Sequence, residues 1–187
     1  MEAFLVSTGV VALAEIGDKT QLLAMILAAR FRRPLPIIAG IFAATILNHL
    51  VAAYAGSLLG HWLDGPWMRW VLGGSFLAVA VWTLFPDKVD DDAGPVSAYG
   101  AFTATLIAFF LAEIGDKTQI ATIALAARYS AVLTVAAGTT LGMLLVNAPT
   151  VLLGHIAGDR LPLRAIRTVA AIVFAALGLL TLLNIGG

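Results

Sequence analysis

Hydrophobic positions along this chain fall in long blocks separated by short polar turns. Six apolar stretches can be drawn: roughly Phe4 to Ala29, Pro36 to Leu59, Trp67 to Phe85, Ala98 to Ala127, Val132 to Leu153, and Ala165 to Leu183. A helix needs about 20 apolar residues in a row to cross a bilayer, and these blocks are of that order. The breaks carry turn and charge signals: Arg30-Phe31-Arg32-Arg33-Pro34, Asp64-Gly65-Pro66, the polar run from Pro86 to Pro95, Arg128-Tyr129-Ser130, and Gly158-Asp159-Arg160. The pattern predicts an all-α membrane protein with six transmembrane helices and no soluble domain.

Composition narrows the class further. Of 187 residues 60% are hydrophobic and 12% charged, and the mean hydropathy is +0.97. A soluble domain of this size needs far more charge to cover its surface. The formal net charge is zero, so no basic field points to nucleic acid, and the electrostatics that matter are local. The chain has no cysteine, which excludes disulfides and thiolate metal sites. The opening segment lacks the basic start of a secretory signal and reads as the first span, not a cleaved leader.

Internal repetition is the loudest signal. Leu13-Ala14-Glu15-Ile16-Gly17-Asp18-Lys19-Thr20-Gln21 recurs, residue for residue, as Leu111-Ala112-Glu113-Ile114-Gly115-Asp116-Lys117-Thr118-Gln119, displaced by 98 positions. The same displacement pairs Arg30 with Arg128, Gly40 with Gly138, Arg69 with Arg167 and Thr83 with Thr181. Leu58-Leu59-Gly60-His61 recurs as Leu152-Leu153-Gly154-His155 at a displacement of 94. Residues 1–86 are thus predicted to form a first three-helix repeat and residues 98–187 a second. An acidic cytoplasmic linker, residues 87–97, joins them near Gly94.

Three spans are an odd number, so the second repeat enters the membrane from the opposite side, the inverted arrangement common in secondary transporters. Basic residues in short loops set the orientation. One side carries Arg30, Arg32, Arg33, Lys88, Arg160, Arg164 and Arg167; the other carries Arg69 and Arg128. The first side is therefore expected in the cytoplasm of a cell with an inner membrane, with both termini extracytoplasmic. Trp62, Trp67 and Trp70 cluster near one outer loop, as an interfacial belt would.

The two Glu-Ile-Gly-Asp-Lys-Thr-Gln segments lie inside spans, where an Asp or Lys costs about 2.5–3.5 kcal/mol at the helix centre. Such groups must face one another, water or a ligand. On a continuous helix Glu15, Asp18 and Lys19 share a face, and Glu113, Asp116 and Lys117 repeat it. Four carboxylates and two ammonium groups leave a formal charge of −2, which one divalent cation neutralises. Hard cations such as Ca²⁺ and Mn²⁺ favour oxygen ligands. Glu15, Asp18, Glu113 and Asp116 are the expected metal ligands. Lys19 and Lys117 would pair with carboxylates when no metal is present. Thr20, Gln21, Thr118 and Gln119 are candidate neutral donors or supports around them. Gly17 and Gly115 loosen the helix there. Charges that merely pin helices as buried ion pairs are the competing explanation. Two copies identical over nine residues, amid drifted flanks, weigh against it.

Other polar groups inside the spans are Asn48 and His49 in the second and Asn147 with Pro149 in the fifth. Asn48 and Asn147 are balanced between lining a pathway and interhelical hydrogen bonding, and His49 leans toward structure. His61 and His155 fall at span ends, where a solvated histidine is the simpler expectation.

The doubled motif, each copy following an apolar Leu-Ala, resembles the signature of the GDT-type cation transporters, also called the calcium/cation antiporter-2 family. The resemblance covers essentially the whole chain, and neither motif departs from it. It implies that Glu15, Asp18, Glu113 and Asp116 bind the transported ion, and that the activity is Mn²⁺ or Ca²⁺ transport in exchange for protons. Bacterial members resemble Mn²⁺ exporters.

The expectation is a secondary-active exporter of Mn²⁺ or Ca²⁺ coupled to H⁺, with no resident cofactor, no enzymatic activity and the lipid bilayer as its surroundings. An exporter or channel for another small cation, without proton coupling, is the alternative. An intramembrane enzyme fits poorly, because two equivalent acid–lysine sets are not what catalysis needs. Oligomeric state and the choice between Mn²⁺ and Ca²⁺ are not legible.

Overall fold

A computed structural model describes residues 1–62, 67–85, 100–153 and 163–183. Eight α-helices are found among the described residues: α1 Glu2–Glu15, α2 Lys19–Phe31, α3 Pro34–Trp62, α4 Met68–Thr83, α5 Ala101–Glu113, α6 Lys117–Tyr129, α7 Val132–Leu153 and α8 Leu163–Leu182. The linker at 87–97, with Lys88 and Gly94, and His155 and Arg160 lie outside the described residues.

The first and fourth predicted spans are each two helices. Glu15 to Asp18 form a turn in which the Asp18 N–H donates to the Glu15 carbonyl at 3.1 Å. Ile16 has φ −67° and ψ 116°, and Gly17 has φ 80°. These are the angles of a type II turn, whose third residue needs positive φ and so favours glycine. Glu113 to Asp116 repeat the geometry, with Ile114 at φ −62° and ψ 119°, Gly115 at φ 75° and the same 3.1 Å bond. The expectation of one helical face is corrected accordingly: Glu15 ends α1, whereas Asp18 is the N-cap of α2. The far ends match too. Arg32 and Ser130 adopt left-handed conformations, φ 51° and 49°, and their N–H groups close α2 and α6 on the carbonyls of Ala28 and Ala126.

Packing follows the repeat. Gly40 of α3 lies against α5 so closely that a Cβ would sit 2.8 Å from both the Phe102 carbonyl and the Thr105 Cβ. Gly138 of α7 lies against α1 in the same way, 2.6 Å from the Phe4 carbonyl and 3.0 Å from the Ser7 Cβ. Gly40 and Gly138, Phe102 and Phe4, and Thr105 and Ser7 are each 98 positions apart. The two close approaches thus involve positions that correspond at the same displacement. Further along α3, Asn48 meets α5 at Phe110, then Gly56 and Gly60 meet α6 at Ile123 and Ala127. Numbers rise together on both partners, so α3 runs parallel to the broken unit α5–α6. On the other side Gly138, Gly142 and Thr150 of α7 meet Phe4, Thr8 and Gln21 in turn, so α7 runs parallel to α1–α2. Within each unit the two helices make almost no contact with each other; the chain passes on instead of doubling back. From Gly40 to Gly60 is about 30 Å of helix, the thickness of a bilayer core.

α3 and α7 are long and apolar enough to cross a membrane. The side-chain distribution agrees. Leu5, Leu35, Phe42, Val51, Tyr54, Leu133, Leu145 and Ile172 are exposed, whereas Ser7, Glu15, Asp18, Asn48, His49, Glu113, Asp116, Lys117 and Asn147 are buried. Apolar outside and polar inside is the arrangement lipid demands, and the protein is a helical membrane protein.

Candidate cation site

Both turns meet in the middle of the bundle. Each stops one helix and starts another, so carbonyls of one last turn and N–H groups of the next first turn face the same region. The turns are braced from within: the side-chain oxygen of Gln21 accepts the Gly17 N–H at 2.8 Å, and that of Gln119 accepts the Gly115 N–H at 2.8 Å. Gln21 also donates to the Thr150 hydroxyl on α7 at 3.0 Å. Both glutamine oxygens are thereby committed to backbone.

Oxygens of Glu15, Glu113 and Asp116 all lie within 4.8 Å of one another, and all three residues are buried. Asp18 stands against Lys117 from the opposite half, and Lys19 pairs with Asp116 at 3.0 Å. The two ion pairs are therefore exchanged between halves instead of forming along one helix. They differ in exposure: the Lys19 side chain is 26% accessible and that of Lys117 4%.

Hydroxyls hold the glutamates. Thr20 donates to Glu15 Oε2 at 2.5 Å, and Thr118 donates to Glu113 Oε2 at 3.0 Å. Asn147 reaches Glu15 Oε2 at 3.5 Å while its amide also contacts the Met143 carbonyl at 3.1 Å. Glu15 Oε1, Glu113 Oε1 and Asn147 Oδ1 are buried oxygens without a hydrogen-bond donor. Such acceptors are costly unless a proton or cation satisfies them. Two buried glutamates with unsatisfied oxygens, beside an aspartate and an amide oxygen, suit a hard divalent cation.

Of the residues singled out from sequence, the four carboxylates, both lysines, both threonines and Asn147 come together here. Asn48 does something else: its amide donates to the Phe110 carbonyl at 3.1 Å and ties α3 to α5. Sequence reasoning gave no role to Thr150, which supports Gln21, and leaned to structure for His49, which is wholly buried with neither ring nitrogen hydrogen-bonded. The signal for His49 was its position 98 residues before Asn147.

Broken helices around a buried carboxylate–lysine cluster are the architecture of a helical membrane protein with polar groups gathered at its centre. The chain belongs to the divalent cation/proton antiporter GDT1 family, whose sequence model matches residues 3–91 and 101–186. It is 52% identical over 182 residues to a Vibrio cholerae protein named "Putative manganese exporter", covering 97% of this chain and 90% of that one. A Synechocystis relative, GDT1-like protein sll0615, is 26% identical with 93% of each chain covered. The rice GDT1-like protein 3 is 24% identical over 92% of this chain and 71% of its own. No solved structure matches the chain.

Proposed function

We propose that this protein exports a divalent metal cation, Mn²⁺ foremost and Ca²⁺ as a second substrate, across the inner membrane in exchange for protons. Membership of the antiporter family and the name of the Vibrio relative support the activity. The observation that carries the site is the meeting of Glu15, Glu113 and Asp116 around unsatisfied buried oxygens. Glu15, Asp18, Glu113 and Asp116 are the ligands in this reading, with Asn147 supporting Glu15. Thr20 and Thr118 orient the glutamates; Lys19 and Lys117 hold the aspartates when the cation has left. Metal and protons compete for the same carboxylates, which is the minimum an exchanger requires.

Six spans in two inverted repeats, residues 1–86 and 98–187 about a cytoplasmic linker at 87–97, complete the reading. Its support is directional. With three crossings per half, an inverted second copy makes the first and fifth crossings parallel, whereas a non-inverted copy makes them antiparallel. α1–α2 and α7 run parallel, as do α3 and α5–α6. Rocking of one triplet against the other then opens the site alternately to each side, with both termini extracytoplasmic.

The test is Mn²⁺ uptake into everted vesicles or proteoliposomes under an imposed pH gradient. Glu15→Gln and Glu113→Gln should each lower the initial rate by more than about tenfold, since loss of groups that merely support metal ligands already costs 10–100-fold. Wild-type rates in both variants would remove the site assignment.

A further inference from the structure

The two halves are not chemically equal. The 98-residue displacement that superposes the motifs also pairs Asn147 of α7 with His49 of α3. Asn147 bonds Glu15 of the neighbouring half. The reciprocal partner of His49 is therefore Glu113, and the register along α3 agrees. Asn48, one residue earlier, is bonded to the carbonyl of Phe110, three residues before Glu113 on the parallel helix α5. Yet His49 is fully buried, and neither ring nitrogen has a hydrogen-bond partner. A buried imidazole without a bond is an unsatisfied polar group that calls for an explanation.

Exchange of conformations between inverted repeats supplies one. When the halves of such a transporter swap arrangements, each residue takes up the contact its counterpart held before. The asymmetry here is visible in the ion pairs, one sealed and one partly open, and in Asn147, which is engaged while His49 is not. We propose that His49 joins the cation site beside Glu113 in the opposite access state, as an imidazole ligand that selects first-row transition-metal dications over Ca²⁺. The inference rests on the cation-export reading above. Calcium is held by oxygen donors almost alone, whereas imidazole nitrogen binds first-row divalent metals. A nitrogen donor on one side of an otherwise all-oxygen cage gives Mn²⁺ a ligand that Ca²⁺ uses poorly. α3 packs against α5, α6, α7 and, more lightly, α2, the elements that carry Glu113, Lys117, Asn147, and Asp18 with Lys19.

Transport kinetics provide the test, because every turnover passes through both access states. Initial rates of Mn²⁺ and Ca²⁺ uptake are measured in proteoliposomes at fixed pH gradient for wild type, His49→Asn and His49→Ala. His49→Asn installs in the first half the side chain the second half already carries. Both variants should raise the KM for Mn²⁺ about tenfold while leaving the KM for Ca²⁺ within about twofold. An unchanged Mn²⁺/Ca²⁺ preference overturns the proposal, as does an equal loss for both cations, which marks a packing role. Glu113→Gln runs in parallel: if it abolishes uptake of both cations while His49→Asn keeps the wild-type preference, only the imidazole assignment falls. If Glu113→Gln transports normally, the site itself is wrong.

Discussion

Lys19 of the first half is ion-paired with Asp116 of the second, Nζ to Oδ1 at 3.0 Å, and Lys117 returns the same bond to Asp18. Each motif thus supplies the lysine that pairs with the aspartate of the other copy. The cross-pairing makes the site a property of the interface between halves. Neither repeat completes it alone.

The two lysines should not be equivalent under substitution. Lys117 is almost wholly buried with Asp18, and removing one member of a buried pair costs about 3–5 kcal/mol because the other is left uncompensated. Lys19 keeps partial access to water, which relieves part of that cost. Lys117→Met should lower the midpoint of thermal unfolding in detergent clearly more than Lys19→Met. Equal shifts would mean that the difference in burial has no energetic consequence.

The turns offer a cleaner measurement of backbone strain. A Cβ added at Gly115 would meet nothing within 4 Å, so a substitution there is opposed by its φ of 75° and by nothing steric from neighbours. Left-handed backbone costs an ordinary L-residue about 1–2 kcal/mol, and Asn tolerates it better. Gly115→Ala should therefore destabilise by about that amount and Gly115→Asn by less, read from paired thermal melts. Transport should fall with Gly115→Ala as well, because the turn aims both Glu113 and Asp116.

Close approach of helices gives a third expectation. The backbone carbonyl of Ile123 stands where a Cβ on Gly56 would go, so Gly56→Ala forces α3 from α6. Overpacking of this kind costs about 1–3 kcal/mol. Gly74, in α4, has nothing within 4 Å of an added Cβ, and Gly74→Ala should be neutral or slightly stabilising through the unfolded chain. Comparing their melts separates steric from conformational effects in one experiment.

The sequence carried the architecture further than the contacts. A nine-residue identity at a fixed displacement reads as two halves, and the charges it marks inside apolar runs are ones the structure buries close together. The helix break was only half legible. Glu15 and Lys19 stand four apart, a spacing that on a continuous helix makes an intrahelical pair, and nothing in the composition says that a type II turn at Ile16-Gly17 wins over helix continuation. Once the turn forms, Lys19 begins a new helix and reaches the opposite copy. In the sequence Asn48 stands open between pathway and interhelical bonding, and the structure shows the bond. By residue type it matches Asn147, but by register the match is His49, and Asn48 is one step round the helix, bonded to a backbone carbonyl. Side-chain chemistry suggested one pairing and helical geometry made another.

The last expectation concerns protons. Lys117 and Lys19 pair with Asp18 and Asp116, and under the proposed exchange Glu15 and Glu113 are the carboxylates that alternate between metal and proton. A divalent ion binds the ionised form, so any proton these groups carry must leave as the metal enters. Adding Mn²⁺ to the detergent-solubilised protein in weakly buffered indicator solution should therefore release about one to two protons per ion bound. Lowering the pH should raise the apparent Kd for Mn²⁺, because protonation removes ligands; raising it should tighten binding until both glutamates are ionised. The double variant Glu15→Gln, Glu113→Gln should release no protons even at metal concentrations high enough to force some binding through the aspartates. Proton release that survives in that variant would move the coupling groups elsewhere, with Asp18 and Asp116 next in line once Lys117 or Lys19 lets go.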